Sequence, residues 1–305
     1  MTVTPPVAVV MPTRDRPGLL RLAVESVLAQ DYPGDLEVLV VHDGTEPDRT
    51  LERAGPGRRV RVLANTRAAG LAGARNTGIC ATRHPLVAFC DDDDTWLPGK
   101  LSAQVAMMRA DPYAEMCSSG VEIDFAGRAT RRLAGADRVT HQQLLRSRMA
   151  MLHSSTFLLR RDALVCGIGL VDERIPGGQS EDWDLLLRAS ARRPIAVVDR
   201  ALVRVRWGPT SHYARRWQTK IDALTWMLAH HPDIESEPVG AARVYGQMGF
   251  ALAALGRRRE ALRWAAKAIR RRRTEWRAVA TAVVALRLSS ADRILDTLHR
   301  FGRGV

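Results

Sequence analysis

Residues 86–98 read LVAFCDDDDTWLP, a short apolar run that ends in four consecutive aspartates. Positions 86–90 are apolar without alternation, the pattern of a short strand buried on both faces. Asp91, Asp92, Asp93 and Asp94 would then stand at the carboxyl end of that strand, where open α/β sheets bind their ligands. Four adjacent carboxylates repel one another, and in a plain loop this is a local cost. A divalent cation removes it, and ligands made of oxygen alone suit Mg2+ or Mn2+. Such ions keep several waters and are completed by substrate phosphates. The competing explanation is a solvated acidic turn that caps a helix starting near Pro98.

A strand buried on both faces needs neighbours, and the first half of the chain supplies them. Apolar runs at 7–11, 36–41 and 60–63 alternate with helical stretches that follow Asp15 and cover 72–82. Asp15 can cap the first helix, with Pro17 in its first turn. Leu20, Ala23, Val24, Val27 and Leu28 share one face of that helix, and Asp31-Tyr32-Pro33-Gly34 stops it. Strands separated by helices imply right-handed parallel crossovers and a Rossmann-like sheet. After Pro98 the pattern is mixed. It shows a helix to about residue 109, strands at 115–124, 153–160, 195–199 and 201–207, a turn at 126–128 and a helix at 181–191. From about residue 215 the chain is helical to its end. Residues 241–255 and 259–272 resemble one tetratricopeptide-like hairpin, short of the roughly three repeats that an array needs. The expected organisation is an α/β domain over 1–215 and a basic helical region over 216–305.

The bulk numbers bound the class. With 305 residues, 46% hydrophobic and 26% charged, the chain can bury a core and is not disordered. No run of ~20 uninterrupted apolar residues exists to span a membrane. The start, MTVTPPVAVVMPTRD, lacks the basic opening and long apolar stretch of a signal peptide and reads as a strand. Cys80, Cys90, Cys117 and Cys166 show no CxxC pairing and lie in apolar or helical context, which predicts reduced core thiols. A cytoplasmic location is expected, with peripheral contact at the inner face of the membrane as a variant. The net charge is +13, and residues 216–305 hold 17 basic against 8 acidic residues. An anionic partner such as a membrane surface would explain this. So would genomic base composition, since Lys100, Lys220 and Lys267 are the only lysines. Arg270–Arg273 could touch lipid headgroups or be a solvated helix end. No interleaved aromatics accompany the charge, which speaks against nucleic acid.

If the sheet is parallel, four segments converge. They are Met11-Pro12-Thr13-Arg14-Asp15, Val41-His42-Asp43-Gly44-Thr45, residues 70–78 (GLAGARNTG) and the aspartates. A nucleotide needs such parts. A carboxylate accepts from the N3–H of uracil or thymine, a helix N-terminus and an arginine suit a diphosphate, and a metal neutralises the remaining charge.

These pieces carry a resemblance. VVMPTRDRPGLLRLAVESVLAQDYPGDLEVLVVHDG, then LAGARNTGI, FCDDDDTWLPGKL and Glu181-Asp182-Trp183-Asp184-Leu185 together resemble family 2 glycosyltransferases with the GT-A fold, over roughly residues 6–215. The resemblance implies an inverting, metal-dependent enzyme that moves a sugar from a nucleoside-diphosphate sugar to an acceptor hydroxyl. A UDP-sugar is favoured as donor, and a glycan, a lipid-linked oligosaccharide or a small molecule would be the acceptor. Pro12, Thr13 and Asp15 would line the nucleoside pocket, and Asp43 would hold the base. Arg75 would approach the diphosphate. Asp93 would be the direct ligand of Mg2+ or Mn2+, with Asp91 and Asp92 on sugar or ribose and Asp94 as a helix cap. Asp182 would be the catalytic base.

The chain departs from the family pattern at two places. Arg14 stands where an aromatic residue is frequent, and His42 stands where an acidic residue is frequent. His42 is expected to be a local hydrogen-bonding group. His212, in Trp207-Gly208-Pro209-Thr210-Ser211-His212, could complete the metal shell, bind phosphate or be an ordinary loop histidine. His153 could border the acceptor or be structural. Trp183 and Trp207 could stack on a sugar or pack in the core. Two other classes remain. A sugar nucleotidyltransferase would need a glycine-rich basic loop after the first strand, and this one holds only Gly18. A catalytically degenerate binding protein would not need the carboxylates that are all present.

Overall fold

The computed structural model describes residues 4–125, 128–207 and 216–300. Two compact units account for them. The first holds residues 4–141, 149–174 and 181–207, and the second holds 142–148, 175–180 and 216–300. Two short stretches from within the expected first domain thus belong to the second unit.

In the first unit, strand β1 (Val7–Thr13) is buried at all seven positions. It has hydrogen-bonded neighbours on both edges: β2 (Leu36–His42) and β5 (Leu86–Phe89), each parallel to it. Its alternate side chains go to opposite faces. Val7, Val9 and Met11 join Leu20, Ala23, Val24 and Val27 of helix α1 (Pro17–Leu28) in one core cluster. On the other face Val10 meets Gly78 of α2 (Leu71–Ala81). The edge β3 (Arg53–Gly55) pairs antiparallel with β4 (Arg58–Ala64), which is parallel to β2. The full order also uses β6 (Thr95–Trp96), β7 (Met116–Phe125), β10 (Leu158–Arg160) and β11 (Ile195–Trp207), and runs β3-β4-β2-β1-β5-β10-β7-β11-β6. Short β8 (Arg128–Arg132) and β9 (Arg138–Val139) pair with β7 and β11.

β10 is antiparallel to both β5 and β7, so the sheet is parallel from β4 to β5 and mixed beyond, with β3 antiparallel at the other edge. This is the GT-A arrangement of an α/β sheet between helices. Helices α3 (Lys100–Ala110), α4 (His141–Arg146), the single turn α5 (Arg161–Ala163) and α6 (Glu181–Arg192) complete the chain as far as β11.

Several expectations change in detail. Residues 195–207 form one strand rather than two, and the break expected near residue 200 is a pair of register shifts against β7. Residues 153–160 are not strand throughout. Ser154–Thr156 form a 3-10 turn before β10. Asp15 does not cap α1, because it adopts a left-handed φ of 55° and Arg16 takes the cap position without a side-chain bond. Asp94 does not cap α3 either, since Gly99 is the residue at that position. Cys90 and Cys117 are buried, but Cys80 and Cys166 are exposed, so only two of the thiols are core. The turn at 126–127 and His212 lie outside the described residues.

In the second unit, α7 (Trp217–His230), α8 (Asp233–Ser236), α9 (Pro238–Ala254), α10 (Arg258–Arg271), α11 (Trp276–Ala285) and α12 (Ala291–Arg300) follow one another. Small residues let the helices approach closely. Ala241, Tyr245, Ala265, Ala268 and Ala278 form the common core. Glu237 and Glu275 cap α9 and α11 by accepting from Gly240 N and Arg277 N. Gly256, at φ 76°, makes the left-handed turn between α9 and α10. Among the described residues no helix is long and apolar enough to cross a membrane.

The contact of α2 with β1 predicts a stability effect. A Cβ at Gly78 would fall on the Val10 side chain, 2.9 Å from Cγ2 and nearer still to Cγ1. Gly78→Ala should therefore destabilise the protein by about 1–3 kcal/mol, the usual size of an overpacking penalty, measured as a lower urea midpoint. An unchanged midpoint would show that α2 can move off the sheet freely.

Candidate active site

Parallel strands deliver the ends of β1, β2 and β5 to one edge of the sheet. Thr13 closes β1, Asp43 follows β2, and the four aspartates follow β5. The observed contacts join them. Thr13 Oγ1 donates to Asp92 Oδ2 at 2.7 Å, and Arg14 N approaches the same oxygen at 3.4 Å. Arg16 reaches back from the cap of α1 and places Nη1 3.2 Å from Asp92 Oδ1 and 2.5 Å from Asp93 Oδ2. Asp43 is buried and already organised. Its Oδ1 accepts from Asn65 Nδ2 at 2.8 Å, and both its oxygens lie 3.0 Å from Gly70 N at the start of α2. The Arg14 guanidinium stands 3.9 Å from Asp43 Oδ2 and is largely exposed. Pro12 is buried within β1, while Asp15 is exposed beside Arg14.

Arg75 is not on the surface of this edge. It is 1% exposed, donates to Glu181 Oε1 and to Asp91 Oδ1 (2.5 Å), and lies over the Phe89 ring at 5.4 Å. In this structure it is a buried tie between the aspartate loop and α6. Asp182 follows in the first turn of α6, half-buried, with Oδ1 accepting from Trp183 N at 2.8 Å. The positive end of the helix favours the carboxylates of Glu181, Asp182 and Asp184 there. Trp183 is 1% exposed and belongs to the core.

The aspartates differ sharply in environment. Burial opposes the Asp91 carboxylate, but the Arg75 guanidinium and His153 outweigh it and hold the carboxyl below its ordinary value. Burial lifts Asp92 to about 6 against the pull of the Thr13 hydrogen bond. Asp93 is raised by burial and by the charge of Asp91. Asp94 is 2% exposed and is pushed up to about 7 by burial, offset in part by His153. Glu181 is lifted to about 7, again by burial, with Arg75 opposing.

Behind the loop, Ser155 Oγ donates to Asp94 Oδ2 at 2.6 Å, Ser154 Oγ donates to Asp91 Oδ2 at 3.0 Å, and His153 Nδ1 lies 3.3 Å from Asp94 Oδ2. Asp91, Asp94 and His153 each offer one ligand atom, and those atoms lie within 4.8 Å of one another. Two carboxylates and one imidazole fit a divalent cation. Asp93, the expected direct ligand, is not in that cluster and pairs with Arg16 instead.

Sequence reasoning missed Arg16, Asn65, Glu181, Ser154 and Ser155. Arg16 and Glu181 lie inside or beside recognised motifs, but only the fold shows which carboxylate each serves. His42 behaves as expected. It meets Thr45 Oγ1 at 3.2 Å and accepts from Asp48 N at 3.3 Å, and burial lowers its pKa.

An α/β sheet with this edge is the scaffold of a nucleotide-sugar transferase. The chain belongs to glycosyl transferase family 2, which it matches over residues 8–167. The UDP-Glc:alpha-D-GlcNAc-diphosphoundecaprenol beta-1,3-glucosyltransferase WfgD of Escherichia coli is 29% identical over 144 residues, which are 46% of this chain and 55% of WfgD. The pre-mycofactocin glycosyltransferase of Mycobacterium tuberculosis is 30% identical over 213 residues, 63% of this chain and 42% of that protein. The succinoglycan biosynthesis protein ExoO of Rhizobium meliloti is 36% identical over 125 residues, 40% of this chain and 35% of ExoO. The chain thus spans about half or less of the length of these relatives.

Among solved structures, S. aureus TarS 1-349 in complex with UDP-GlcNAc aligns with a TM-score of 0.62 at 18% identity, over 98% of this chain and 92% of that one. The mannosyltransferase PcManGT of Pyrobaculum calidifontis, in complex with GDP-Man and Mn2+, aligns with a TM-score of 0.56 at 18% identity, over 93% and 88%. Both likenesses show the fold.

Two predictions follow from the buried charges. Removing Arg75 strands Glu181 and Asp91 without their cation. Arg75→Met should therefore lower stability by about 3–5 kcal/mol in urea unfolding, and adding Glu181→Gln should return part of the loss. Asp94 shares the pH signal with Glu181 and Asp92, which burial also raises. Its folded pKa of about 7 exceeds that of an unfolded aspartate, so the native state holds the extra proton between about pH 4 and 7. Stability therefore falls as pH rises through that window. In metal-free buffer, Asp94→Asn should gain on the wild type as pH rises, with a larger melting offset at pH 8 than at pH 5. Equal offsets at both pH values would remove Asp94 as the source.

Proposed function

We propose that this protein transfers a sugar from a nucleoside-diphosphate donor to an acceptor hydroxyl, with inversion at the anomeric carbon. The observation that carries the reading is the convergence of Thr13, Asp43 and the aspartate run on one sheet edge, with Asp182 in the first turn of α6. Membership of glycosyl transferase family 2 supports it.

Asp43 receives the base. Asn65 and Gly70 fix both its oxygens, and a carboxylate has lone pairs left for the N3–H of a uracil. A uridine donor is therefore the working assignment, and TarS, in complex with UDP-GlcNAc, shares the fold. Pro12, Thr13 and Asp15 line the nucleoside side, with Asp91 and Asp92 towards ribose and sugar. Asp93 is the least buried of the four consecutive aspartates, with a third of its side chain open, and is the reading for direct contact with Mg2+ or Mn2+. Asp91, Asp94 and His153 are the set at ligand spacing, with Asp94 buried and the other two partly exposed. When bound, the cation supplies Lewis-acid stabilisation of the departing diphosphate charge. Arg75 positions Asp91 and Glu181 rather than the phosphates. Asp182, oriented by Trp183 N, takes the proton of the attacking hydroxyl. A single base and a direct displacement give inversion.

The relatives named above make bacterial surface glycan synthesis the proposed setting, with a glycan, a lipid-linked oligosaccharide or a small molecule as acceptor. His212 stays a proposed phosphate or metal contact, and the cytoplasm is the proposed compartment.

The test has two parts. UDP with Mn2+ should raise the melting temperature, by an amount set by RT ln(1 + [L]/Kd) and worth about 2.7 kcal/mol at a hundredfold excess over Kd. Asp93→Asn should abolish that shift, whereas Asp182→Asn should keep it. Asp182→Asn should also lower turnover at least about a hundredfold, the usual size of a general-base effect. No shift with any nucleoside diphosphate would refute the donor, and retained turnover in Asp182→Asn would refute the base.

A further inference from the structure

The second unit presents an outer face that the proposed chemistry does not use. On α11, Trp276, Val279 and Leu286 at its C-terminal end are all exposed, Val279 and Leu286 by 61% each. Ala282 and Val283 fill the gaps between them. At 100° per residue these five positions fall on one side of the helix. None of the five is charged, although the Arg277 guanidinium lies 4.6 Å over the Trp276 ring at the start of the ridge, and Ala278, Ala280, Thr281, Val284 and Ala285 are buried on the other side.

Helix α10 lies alongside. Its buried strip is Ala261, Ala265 and Ala268. Turning away from that strip, the next positions are Leu262, Ala266 and Ile269, and all three are exposed. The strip after those is Arg259, Arg263 and Arg270, which are exposed and form no ion pair with any described residue. A groove of about 520 Å³ runs between the two helices, lined by Ala266, Ile269 and Arg270 on one side and Val279 and Ala282 on the other. Leu288, 74% exposed, extends the apolar surface into the next turn. Residues 257–288 hold eleven basic residues against two acidic ones, and one of those two, Glu275, is buried as the cap of α11.

We propose that this face of α10 and α11 seats the protein on an anionic lipid bilayer, its aliphatic ridge entering the headgroup region and its arginine strip meeting lipid phosphates. An apolar ridge beside a cationic strip is the pattern of helices that lie in a membrane interface. Charge decides between this occupant and the others. A second copy docked by two-fold symmetry would set the same arginine strip against itself, with almost no acid to balance it. A nucleic acid would use the arginines but leave Leu262, Ile269, Val279 and Leu286 in water, since aliphatic side chains offer bases no stacking surface. A bilayer satisfies both halves of the face.

The test uses the full chain and flotation with vesicles of phosphatidylglycerol and phosphatidylcholine in equal parts, or of phosphatidylcholine alone. Binding to the anionic vesicles is expected, with at least tenfold less to the neutral ones. An arginine at an anionic surface is worth roughly fivefold in affinity, so Arg259→Gln with Arg263→Gln and Arg270→Gln should weaken binding on the order of a hundredfold. Val279→Asp should weaken it at low and high salt alike. All these positions are exposed, and circular dichroism melting checks that the variants fold. Equal binding to both vesicle types, or no binding to either, overturns the proposal. So does loss of binding in the arginine variant with none in Val279→Asp, which would describe electrostatic attraction without insertion. A wild-type dimer in light scattering that Val279→Asp dissociates, with no vesicle binding, would assign the face to a second copy instead.

Discussion

Negative charge held out of water at the end of β5 is the constraint around which the first unit is arranged. Asp91, Asp92, Asp93 and Asp94 are consecutive, so covalent geometry keeps them together whatever the solvent does. Glu181 adds a fifth carboxyl at the start of α6. The fold answers with two guanidinium groups, Arg75 from α2 and Arg16 from the cap of α1, and with hydroxyls from Thr13, Ser154 and Ser155. The partners come from four separate places in the chain, Ser154 and Ser155 sharing one turn. The site is thus also a knot that ties β1, α1, α2, β5, the turn before β10 and α6. A buried pair of this type is weak as a net source of stability but strongly penalised when half of it is lost. Its effect is specificity: only one arrangement of those elements matches every carboxylate.

Much of this was legible in the sequence, because parallel α/β units write their pattern plainly. The apolar runs that become β1, β2, β4 and β5 and the helices between them fall within a few residues of expectation, since burial on both faces leaves little choice of residue type. The GT-A fold could be named from the motifs. What could not be read were relations set by three-dimensional packing. The single strand β11 looked like two because its bulges fall near Asp199 and Arg200, polar residues that resemble a turn. Asp15 looked like a helix cap, but its left-handed backbone takes it away from α1. Arg75 is expected near a diphosphate as a cation in the right motif, but that α2 also ties it to Glu181, more than a hundred residues away in sequence, only the fold shows. Cys80 and Cys166 looked buried because their neighbours are apolar, although helices turn every third or fourth side chain outward.

The relation between Asp43 and its surroundings shows how a shared scaffold permits different donors. TarS and PcManGT have the same fold at the same low identity, one in complex with UDP-GlcNAc and the other with GDP-Man. The same strand order thus accompanies different nucleotides in those two proteins. Side chains at the ends of β1 and β2 vary more freely than those within the strands, because they close the ladder or follow it. In this chain they are Arg14, His42 and Asp43, with Asn65 holding Asp43 from the end of β4.

Behind the aspartates, Lys100 opens α3 fully buried, with its amine 3.8 Å over the Trp96 ring and 2.7 Å from Gln104 Oε1. Gln104 in turn donates to Thr156 O at 2.7 Å, so the lysine props the turn that carries Ser154 and Ser155. Burial brings the pKa of the amine down to about 7. Near neutrality a large share of these molecules therefore has an uncharged prop. The bracing of the turn through Gln104 therefore does not depend on the amine keeping its charge.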